Sequence, residues 1–447
     1  MGTARVCYLQ KTGSDKKISL PHGETITIGR SRDTEIQDLL ISKQQIECTA
    51  DIENCKIILK PIGKATSGID GFDESTQVAK KKKMDFSIFN TTKQDDKGTV
   101  SSKGSWSTMD NKEVLIYTSE DCKGSSKIAA FDLDGTLTKT KSGARFPKDS
   151  NDWELNFGSL LQQLKKAHEE KFKILSLPIQ VFVAIGRSIY RKPALGMWNA
   201  LKELNDNLPV DLTTSFYVGD AAGREKNWAP KKNKDHSLAD RLFALNIGVK
   251  FYTPEEYFTK SKPVPYVMPE FDPRALPTAQ YPQINYTRPN VILMVGGPGS
   301  GKSHFCKKVI VPMGYAHINR DTLGSWQKCV KVLKEALQSE QSCVIDNTNP
   351  DKESRARYIA VAKEMRVKCY CFVMDVSLLH MKHNNRFREL TDSTHVPVSE
   401  IIINGYKKGY QEPDLSEGFE EIVKIPFVAE FERSDHEKLY KMFLLEK

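Results

Sequence analysis

The chain has 447 residues, of which 66 are Lys or Arg and 57 are Asp or Glu, giving a formal net charge of +9. This length predicts about three domains, and a modest basic excess is compatible with an anionic partner. Nine scattered cysteines without a Cys-x-x-Cys pair argue against a disulfide framework and indicate reduced thiols in a cytosolic or nuclear setting. The longest apolar runs are too short to span a bilayer, so we expect no membrane partner.

Residues 1–79 are predicted to form a small all-β unit, because short β-type runs alternate with Gly, Asp and Asn. The runs are Arg5–Leu9, Thr25–Ile28, Ile46–Thr49 and Lys56–Leu59.

A possible phosphate-binding pair stands within this unit. Arg30 follows Gly29, and Ser42 and Lys43 stand about twelve residues further on. An arginine fork and a serine hydroxyl on neighbouring loops can hold a phosphate. The layout resembles a forkhead-associated (FHA) domain, a reader of phosphothreonine peptides, and this resemblance implies that Arg30, Ser42 and Lys43 bind phosphopeptide.

The N-terminal unit also departs from the FHA pattern. Lys43 stands where that family usually has Arg, Gln45 where it has His, and Ser67 where Asn is common. After Gly68 the chain becomes polar and basic where further strands are expected, and missing strands would expose sheet edges. The sequence therefore predicts a truncated FHA-like domain, and an unrelated β-domain remains the alternative.

Residues 80–113 are predicted to be a flexible basic linker. The stretch opens with Lys80–Lys83 and is rich in Ser, Thr, Lys, Asp and Gly, so it cannot bury enough apolar surface to fold alone. A lysine cluster in an exposed tether is typical of nuclear import or a nucleic-acid contact, and a solvated charge run is the alternative. We expect the next domain to begin at Val114.

The segment 114–262 contains an aspartate motif at the end of a buried-strand pattern. Ile128–Phe131 leads into Asp132-Leu133-Asp134-Gly135-Thr136. Two carboxylates at this spacing can share a Mg²⁺ ion. Asp132 could then attack phosphorus, while Asp134 protonates the leaving oxygen and later accepts a proton from water.

The Asp-x-Asp-Gly-Thr motif resembles the haloacid dehalogenase (HAD) phosphatases. That resemblance implies that Lys192 stabilises the phosphoryl charge and that Asp220, at another strand end, completes the Mg²⁺ shell. The family's second strand ends in a Thr or Ser that binds phosphate and is followed by a crossover helix. Here Phe172–Leu175 runs through Ser176 directly into Ile179–Ala184, without room for the crossover of a dozen or more residues that parallel neighbours need. We therefore expect an internal deletion near 175–178.

A Pro-rich connector, 263–287, precedes a second catalytic segment, 288–447. An apolar run leads into Gly296-Gly297-Pro298-Gly299-Ser300-Gly301-Lys302-Ser303, the G-x-x-x-x-G-K-S pattern of a nucleotide phosphate-binding loop. The backbone amides of Gly296, Gly299 and Gly301 are expected to surround phosphate oxygens. Lys302 would reach the outer phosphates of ATP and Ser303 would hold Mg²⁺.

Strand and helix patterns alternate beyond this loop, which predicts a doubly wound α/β domain. Asp321 follows a short β-run and could accept the proton of an attacking hydroxyl. Asp346 ends a strand and could hold the water shell of Mg²⁺. Arg386, Arg388 or both could close over the transferring phosphate as a lid, and a solvated helix face is the alternative.

The combined motifs resemble the polynucleotide kinase 3′-phosphatases of metazoans. The matching runs include Gly219–Arg224, Asn227–Pro230, Asp240–Asn246, Phe271–Arg274, Asp346–Pro350 and Asn384–Glu389. The resemblance implies an α/β protein with a HAD-like phosphatase, a P-loop kinase and an FHA-like β-sandwich. It also implies hydrolysis of 3′-phosphates through Asp132 and ATP·Mg²⁺-dependent phosphorylation of 5′-hydroxyls through Asp321. Implied partners are DNA ends and phosphorylated DNA-repair scaffolds, in the nucleus.

The departures leave other interpretations open. One is a kinase with an impaired phosphatase, and another is a repair scaffold whose enzyme domains are degenerate. A kinase that acts on small molecules is the third, although it would leave the phosphatase and the basic linker unexplained.

Overall fold

The structure is a computed structural model. It describes 104–144, 146–174, 180–392, 394 and 396–446, together with the backbone of five strands between residues 7 and 61. Two compact units are formed, one by 1–97 with 147–151 and one by 98–146 with 152–447.

The first unit contains antiparallel strands, which confirms the predicted β-rich character over the described residues. One pair joins β1 (Cys7–Gln10) to β2 (Lys17–Leu20), and the latter was not predicted. In a second sheet β4 (Ile46–Asp51) lies between β3 (Thr25–Ile28) and β5 (Lys56–Pro61).

The second unit begins with an antiparallel sheet that the sequence did not predict. Strands β6 (Gly104–Met109) and β7 (Val114–Ser119) form a hairpin, and β12 (Gln180–Ala184) pairs with the other edge of β7. The predicted linker 80–113 was therefore wrong at its end. The few apolar residues of β6 hid its pairing, because five of its six residues are exposed.

A parallel four-stranded sheet carries the aspartate motif. Its order is β11 (Lys173–Ile174), β8 (Ile128–Phe131), β13 (Phe216–Val218) and β14 (Lys250–Tyr252). Successive residues of β8 point to opposite faces. Four helices flank the sheet: α1 (Leu160–Glu169), α2 (Gly196–Glu203), α3 (Ala239–Ile247) and α4 (Pro254–Phe258). Ile128 and Ala130 pack with α2 and α3, while Ala129 and Phe131 pack with α1 and α4. A small antiparallel pair joins β9 (Thr138–Lys139) and β10 (Glu154–Leu155).

The strand patterns at 172–175 and 179–184, which leave no room for a parallel crossover, belong to different sheets. Strand β11 pairs with β8 in the parallel sheet, whereas β12 pairs antiparallel with β7 in the other sheet. Because the two strands belong to different sheets, the short connection between them does not have to make a parallel crossover.

A parallel five-stranded sheet carries the phosphate-binding loop. Its order is β16 (Ala316–Ile318), β17 (Cys343–Ile345), β15 (Asn290–Val295), β18 (Lys368–Asp375) and β19 (Glu421–Pro426). Helices α7 (Trp326–Gln338) and α8 (Lys352–Glu364) cover one face of this sheet. The helical segment that begins at Lys302, directly after the phosphate-binding loop, covers the other face. This arrangement confirms the doubly wound prediction, although β19 was not expected.

The helices of this region begin with α5 (Lys302–Phe305), which continues through a π-helical turn (Cys306–Ile310) and a 3₁₀ turn (Val311–Met313). The others are α6 (Arg320–Leu323), α7 (Trp326–Gln338), α8 (Lys352–Glu364), α9 (Leu378–Thr391), α10 (Glu400–Gly409), a 3₁₀ turn (Leu415–Glu417) and α11 (Ser434–Tyr440).

The connector 263–287 contributes to this region's core. Ile284 is buried in the cluster that lines one face of the sheet, and Tyr286 stacks on Tyr370 with ring centroids 3.7 Å apart. Within the described residues, every helix is too short or too polar to cross a membrane.

Candidate active sites

The phosphate-binding loop follows β15, whose six residues are all buried. Gly299 and Gly301 have φ of 81° and 93°, in the left-handed region that glycine tolerates best. A Cβ atom on Gly299 would lie 2.5 Å from Asn385 Nδ2, and one on Gly296 would lie 2.6 Å from Ser300 Oγ. The loop therefore needs glycine for both its backbone conformation and its close packing.

Lys302 is buried at the start of α5, and its Nζ donates a hydrogen bond to the Gly297 carbonyl at 3.0 Å. Burial lowers the pKa of Lys302 to about 8, although the carboxylates of Asp346 and Asp321 oppose this shift. Its charge is thus held near the loop in a poorly solvated place, where an anionic phosphate would stabilise it. Ser303 follows in the first turn of α5 and is exposed.

Asp346 lies directly after β17, and its backbone N–H donates to the Ile318 carbonyl at 2.8 Å. Its Oδ2 lies 3.0 Å from His317 Nε2 and accepts a hydrogen bond from Asn319 Nδ2 at 3.1 Å. Its Oδ1 is buried and has no hydrogen-bond partner within the described residues. A buried carboxylate oxygen without a partner is costly, so this oxygen fits a cation or a cation-bound water.

Asp321 lies in the first turn of α6, on the exposed side of the same region. Asn319 caps this helix, because its Oδ1 accepts from Asp321 N at 2.7 Å and from Thr322 N at 3.4 Å. The cap fixes the backbone of Asp321 while its carboxylate stays accessible to a substrate hydroxyl.

Helix α9 supports the phosphate-binding loop through two asparagines that were not predicted as site residues. Asn384 Nδ2 donates to the Gly299 carbonyl at 2.8 Å, and Asn385 Nδ2 donates to the Pro298 carbonyl at 3.0 Å. Asn384 Oδ1 accepts a hydrogen bond from the Tyr440 hydroxyl. Both asparagines are buried, and two adjacent amides on a helix are the signal that could have identified them.

Arg386 is on the same helix but does not extend over the loop. Its guanidinium donates to the backbone carbonyls of Arg187 at 2.6 Å and Ser188 at 3.2 Å, and to the Glu389 carboxylate at 3.0 Å. Arg187 and Ser188 belong to the segment 114–262, which carries the aspartate motif and is called the phosphatase region below. The predicted lid role would require Arg386 to exchange these bonds. Arg388 is exposed.

Three carboxylates converge beside the parallel sheet of the phosphatase region. Asp132 directly follows β8, Asp220 follows β13 and Asp240 lies in the first turn of α3. One oxygen from each lies within 4.8 Å of the others. Asp240 was not predicted, although an acidic residue inside the apolar run Leu238–Ile247 is a signal for a buried charge.

Lys192 binds this carboxylate cluster. Its Nζ forms a salt bridge with Asp132 Oδ1 and another with Asp240 Oδ1 at 2.6 Å, and it donates to the Tyr217 hydroxyl at 3.0 Å. Burial alone would lower the pKa of Lys192, but Asp132 and Asp240 outweigh it and raise the pKa well above its usual value. Lys192 therefore remains protonated beside Asp132, as the predicted role in stabilising phosphoryl charge requires.

The crowding of the carboxylates changes their acidity. Burial, then the charge of Asp240, raises the pKa of Asp132 to about 6, although Lys192 opposes the shift. Burial, then the charge of Asp132, raises the pKa of Asp220 to about 8. Oxygen ligands with unfavourable mutual repulsion fit a hard divalent cation such as Mg²⁺, so the predicted metal residues Asp132 and Asp220 have suitable surroundings.

Asp134 is placed differently from the other predicted metal ligands. Its side chain is exposed and is not part of the Asp132, Asp220 and Asp240 cluster. It lies at the turn where Gly135 adopts φ of 83°, and a Cβ atom on Gly135 would lie 2.5 Å from Asp220 Oδ2. The glycine thus allows Asp220 to approach the motif.

Some predicted residues lie outside the described residues. They are the phosphopeptide-binding candidates Arg30, Ser42 and Lys43. Their predicted roles remain predictions.

Three family models match the chain. The model for polynucleotide kinase 3 phosphatase matches in two pieces, 127–177 and 173–258. The FHA domain model matches 7–75, and an AAA domain model matches 323–413.

Known proteins from distant organisms are similar over most of the chain or over its phosphatase part. A "Bifunctional polynucleotide phosphatase/kinase" of Schizosaccharomyces pombe is 35% identical over 357 residues, 72% of this chain and 84% of the relative. A protein of Acanthamoeba polyphaga mimivirus with a name of the same kind is 32% identical, over 71% of this chain and 89% of the relative. "Polynucleotide 3'-phosphatase ZDP" of Arabidopsis thaliana is 34% identical, over 34% of this chain and 27% of the relative.

These similarities confirm the predicted fold classes: a kinase-type P-loop domain, a phosphatase domain and an FHA domain. The cited relatives are fungal, viral and plant proteins, so a metazoan assignment stays a prediction. The chain belongs to the family of bifunctional polynucleotide phosphatase/kinases.

Proposed function

We propose that this protein prepares broken DNA ends for ligation, by phosphorylating 5′-hydroxyl ends with ATP and hydrolysing 3′-phosphate ends. The observation that carries the proposal is the presence of two chemically distinct phosphate sites in one compact unit. One combines a phosphate-binding loop with Lys302 and Asp321, and the other combines Asp132, Asp220 and Asp240 with Lys192.

In the proposed kinase reaction, the loop from Gly296 to Ser303 holds the phosphates of ATP, and Lys302 neutralises charge on the transferring group. Asp321 accepts the proton of the 5′-hydroxyl as its oxygen attacks the γ-phosphorus. The bond to ADP breaks, and the phosphoryl group moves to the nucleic acid. The exposed position of Asp321 and its capped helix support this role.

In the proposed phosphatase reaction, the Asp132 carboxylate attacks the phosphorus of the 3′-phosphate and forms an aspartyl-phosphate. Asp134 gives a proton to the departing 3′-oxygen and then takes one from the water that hydrolyses the intermediate. Lys192 stabilises the phosphoryl charge from a position where it already contacts Asp132. With its pKa raised to about 6 by burial first, Asp132 is mostly ionised at neutral pH.

Both centres are proposed to use Mg²⁺. Asp132 and Asp220 would hold it in the phosphatase centre, Asp134 remaining a predicted ligand, and Ser303 and Asp346 would hold it in the kinase centre. When bound, Mg²⁺ supplies positive charge that stabilises the phosphoryl oxygens. The raised pKa of Asp220 and the unpaired Oδ1 of Asp346 support these assignments.

The FHA domain is proposed to bind phosphorylated DNA-repair scaffold proteins, using Arg30, Ser42 and Lys43. A nuclear location is proposed from this role and from the Lys80–Lys83 cluster, which is typical of an import signal.

A second candidate is a kinase whose phosphatase is impaired. The phosphatase family model matches in two overlapping pieces, 127–177 and 173–258. This observation supports the predicted deletion near 175–178, which would remove the family's phosphate-binding strand tip and the helix that follows it.

The acceptor can be tested with the purified chain, labelled ATP and a 5′-hydroxyl oligonucleotide in competition with nucleosides and sugars. Label should enter the oligonucleotide and resist competition by the small molecules. Preferred labelling of a nucleoside or sugar would instead support a small-molecule kinase, and ATP binding without any transfer would support a scaffold.

The phosphatase can be tested separately with a nicked duplex that carries a 3′-phosphate. Phosphate release that depends on Asp132 would establish the activity. Turnover like that of the Schizosaccharomyces pombe relative would contradict the impaired form, whereas release near the uncatalysed rate would contradict the bifunctional form.

A further inference from the structure

A cluster of unlike metal ligands lies next to the phosphate-binding loop. Cys306 Sγ, an imidazole nitrogen of His317 and a carboxylate oxygen of Asp346 all lie within 4.8 Å of one another. Cys306 begins the π-helical turn after α5, His317 lies in β16, and Asp346 follows β17. Three elements of the kinase region therefore bring their side chains together at one point.

An independent observation indicates that this cluster has an open coordination position. Asp346 is 2% exposed, and its Oδ1 has no hydrogen-bond partner within the described residues. The other oxygen, Oδ2, already contacts His317 Nε2 at 3.0 Å and Asn319 Nδ2 at 3.1 Å. The unpaired oxygen can therefore bind a cation without losing a bond to the protein.

The ligand types select the metal. Mg²⁺ prefers an all-oxygen shell, whereas a thiolate, an imidazole and a carboxylate together favour Zn²⁺. In a tetrahedral zinc site the ligand atoms are about 3.3–3.8 Å apart, given Zn–N and Zn–S bonds of about 2.0–2.3 Å. Side-chain rotations that move the atoms by about 1 Å would close the present arrangement.

We propose that Cys306, His317 and Asp346 form a Zn²⁺ site that inhibits the kinase. Water completes the coordination as the fourth ligand. On binding, the Cys306 thiol releases its proton to solvent. His317 Nε2 gives up its contact with Asp346 Oδ2, and the neutral imidazole then carries its proton on Nδ1 so that Nε2 can bind the metal. Binding of one Zn²⁺ ion thus releases one proton and forms a thiolate–zinc bond.

The inhibition follows from the use of Asp346 by both metals. A carboxylate bound to Zn²⁺ at Cys306 cannot also hold the Mg²⁺ water shell of ATP. Occupation of the site also places a divalent charge near Lys302, whose pKa already responds to both Asp346 and Cys306. This consequence rests on the proposed kinase function, whereas Zn²⁺ binding itself does not.

Metal binding can be measured on the full chain without ATP, using Co²⁺ as a spectroscopic substitute for Zn²⁺. Wild-type protein should give a sulfur-to-cobalt charge-transfer band that Zn²⁺ removes. Cys306→Ala and the bulkier Cys306→Val should both lose that band and bind Zn²⁺ at least about 100-fold more weakly. Cys343→Ala, which removes a buried thiol at the start of β17, is the matched control and should retain both properties.

Kinase assays at saturating Mg²⁺·ATP give the second measurement. Zn²⁺ should inhibit the wild type and the Cys343→Ala control, while Cys306→Ala and Cys306→Val keep basal activity and resist inhibition. Equal Zn²⁺ affinity in wild type and both Cys306 variants, or no thiolate band in the wild type, would overturn the site. A Cys306-dependent band with unchanged kinase activity would overturn only the inhibition. Absent kinase activity in every protein would contradict the proposed function and leave the band as the test of the site.

Discussion

The kinase region builds its phosphate site from glycines and one buried lysine, whereas the phosphatase region crowds three carboxylates around one lysine. In the kinase region the lysine has no salt-bridge partner among the described residues, and its pKa falls to about 8 because it is buried. In the phosphatase region Asp132 and Asp240 hold Lys192, and the pKa of Lys192 rises despite burial. The kinase site is therefore suited to bind an anion such as a phosphate. The phosphatase site has more carboxylates than lysines and is suited to bind a cation.

The sheets that hold the two sites also differ, in the length and pairing of their strands. Strands β15 and β18 have six and eight residues and pair over six positions, so the loop rises from a well-supported strand. In the phosphatase sheet β8 has four residues and pairs with β13 over three positions. We infer that the kinase centre tolerates substitution of its surroundings better than the phosphatase centre does.

The largest expected effect tests whether the kinase and phosphatase centres act independently of each other. Asp132→Ala removes the nucleophile of the phosphatase and should lower 3′-phosphate hydrolysis by about 10⁴-fold or more. The 5′-kinase rate of the same protein should not change, because the described partners of Asp132, Lys192 and Val218, lie in the phosphatase region. Parallel assays of the two reactions check this, with the exposed Asp121→Ala as the control, and a simultaneous fall of both rates would contradict independent centres.

The lysine contrast predicts a pH dependence of ATP binding. In the free protein Lys302 loses its proton as pH rises through about 8, because burial lowers its pKa. ATP needs the protonated form, so affinity should fall by up to about tenfold per pH unit above pH 8. Titration calorimetry between pH 7 and 10 measures this.

Lys302→Arg sharpens the same prediction, because a guanidinium stays protonated over this range. The variant should bind ATP with an affinity that is lower but independent of pH. A wild-type affinity that is equally flat between pH 7 and 10 would contradict the burial argument.

The carboxylate cluster predicts a second pH effect, on the stability of the fold. Asp220 has a folded-state pKa of about 8, raised by burial first and then by Asp132, against about 3.9 in an unfolded chain. The folded protein therefore holds a proton that the unfolded chain has lost, and metal-free stability should fall as pH rises from about 4 to about 8.

The substitution Asp220→Asn should remove this fall in stability, because an amide does not ionise. Without Mg²⁺ the variant should be more stable than wild type at pH 8, by on the order of 2 kcal/mol, with a smaller difference at pH 5. Mg²⁺ should stabilise wild type more than the variant. Denaturant unfolding with and without EDTA measures this, with the exposed Glu225→Gln as control, and a variant less stable than wild type at pH 8 would refute the repulsion.

The smallest expected effect concerns the support of the phosphate-binding loop. Asn384→Ala removes the hydrogen bonds to the Gly299 carbonyl and from the Tyr440 hydroxyl. The loss should weaken ATP binding by about 3- to 10-fold, which corresponds to about 1 kcal/mol.

Tyr440→Phe should weaken ATP binding less, and the two substitutions together should be less than additive, because both act through Asn384. ATP dissociation constants of the three variants measure the coupling. Full additivity would show that Tyr440 does not act on the loop through this asparagine.

Local patterns in the sequence were sufficient to predict the strand ends followed by Asp132 and Asp346, and the loop that leads from β15 to Lys302. An apolar run that ends in a polar motif requires only neighbouring residues for its interpretation. Asp240 and Asn384 were missed as site residues because their roles depend on contacts with residues about 50 to 110 positions away. Cys306 was missed because its proposed role depends on His317 and Asp346, which lie on other elements. The same limit explains β12, whose apolar pattern revealed a strand but not which sheet it would join.

The central claim is that the loop from Gly296 to Ser303 and Asp321 together transfer phosphate from ATP to a nucleic-acid 5′-hydroxyl. The most direct test compares wild type, Asp321→Ala and the exposed control Glu335→Ala on one nicked duplex with a 5′-hydroxyl. We predict that Asp321→Ala loses about 10²- to 10⁴-fold in transfer while its ATP dissociation constant stays within a factor of a few of wild type, and that Glu335→Ala behaves as wild type. Full 5′-phosphorylation by Asp321→Ala, or none by the wild type, would contradict the account.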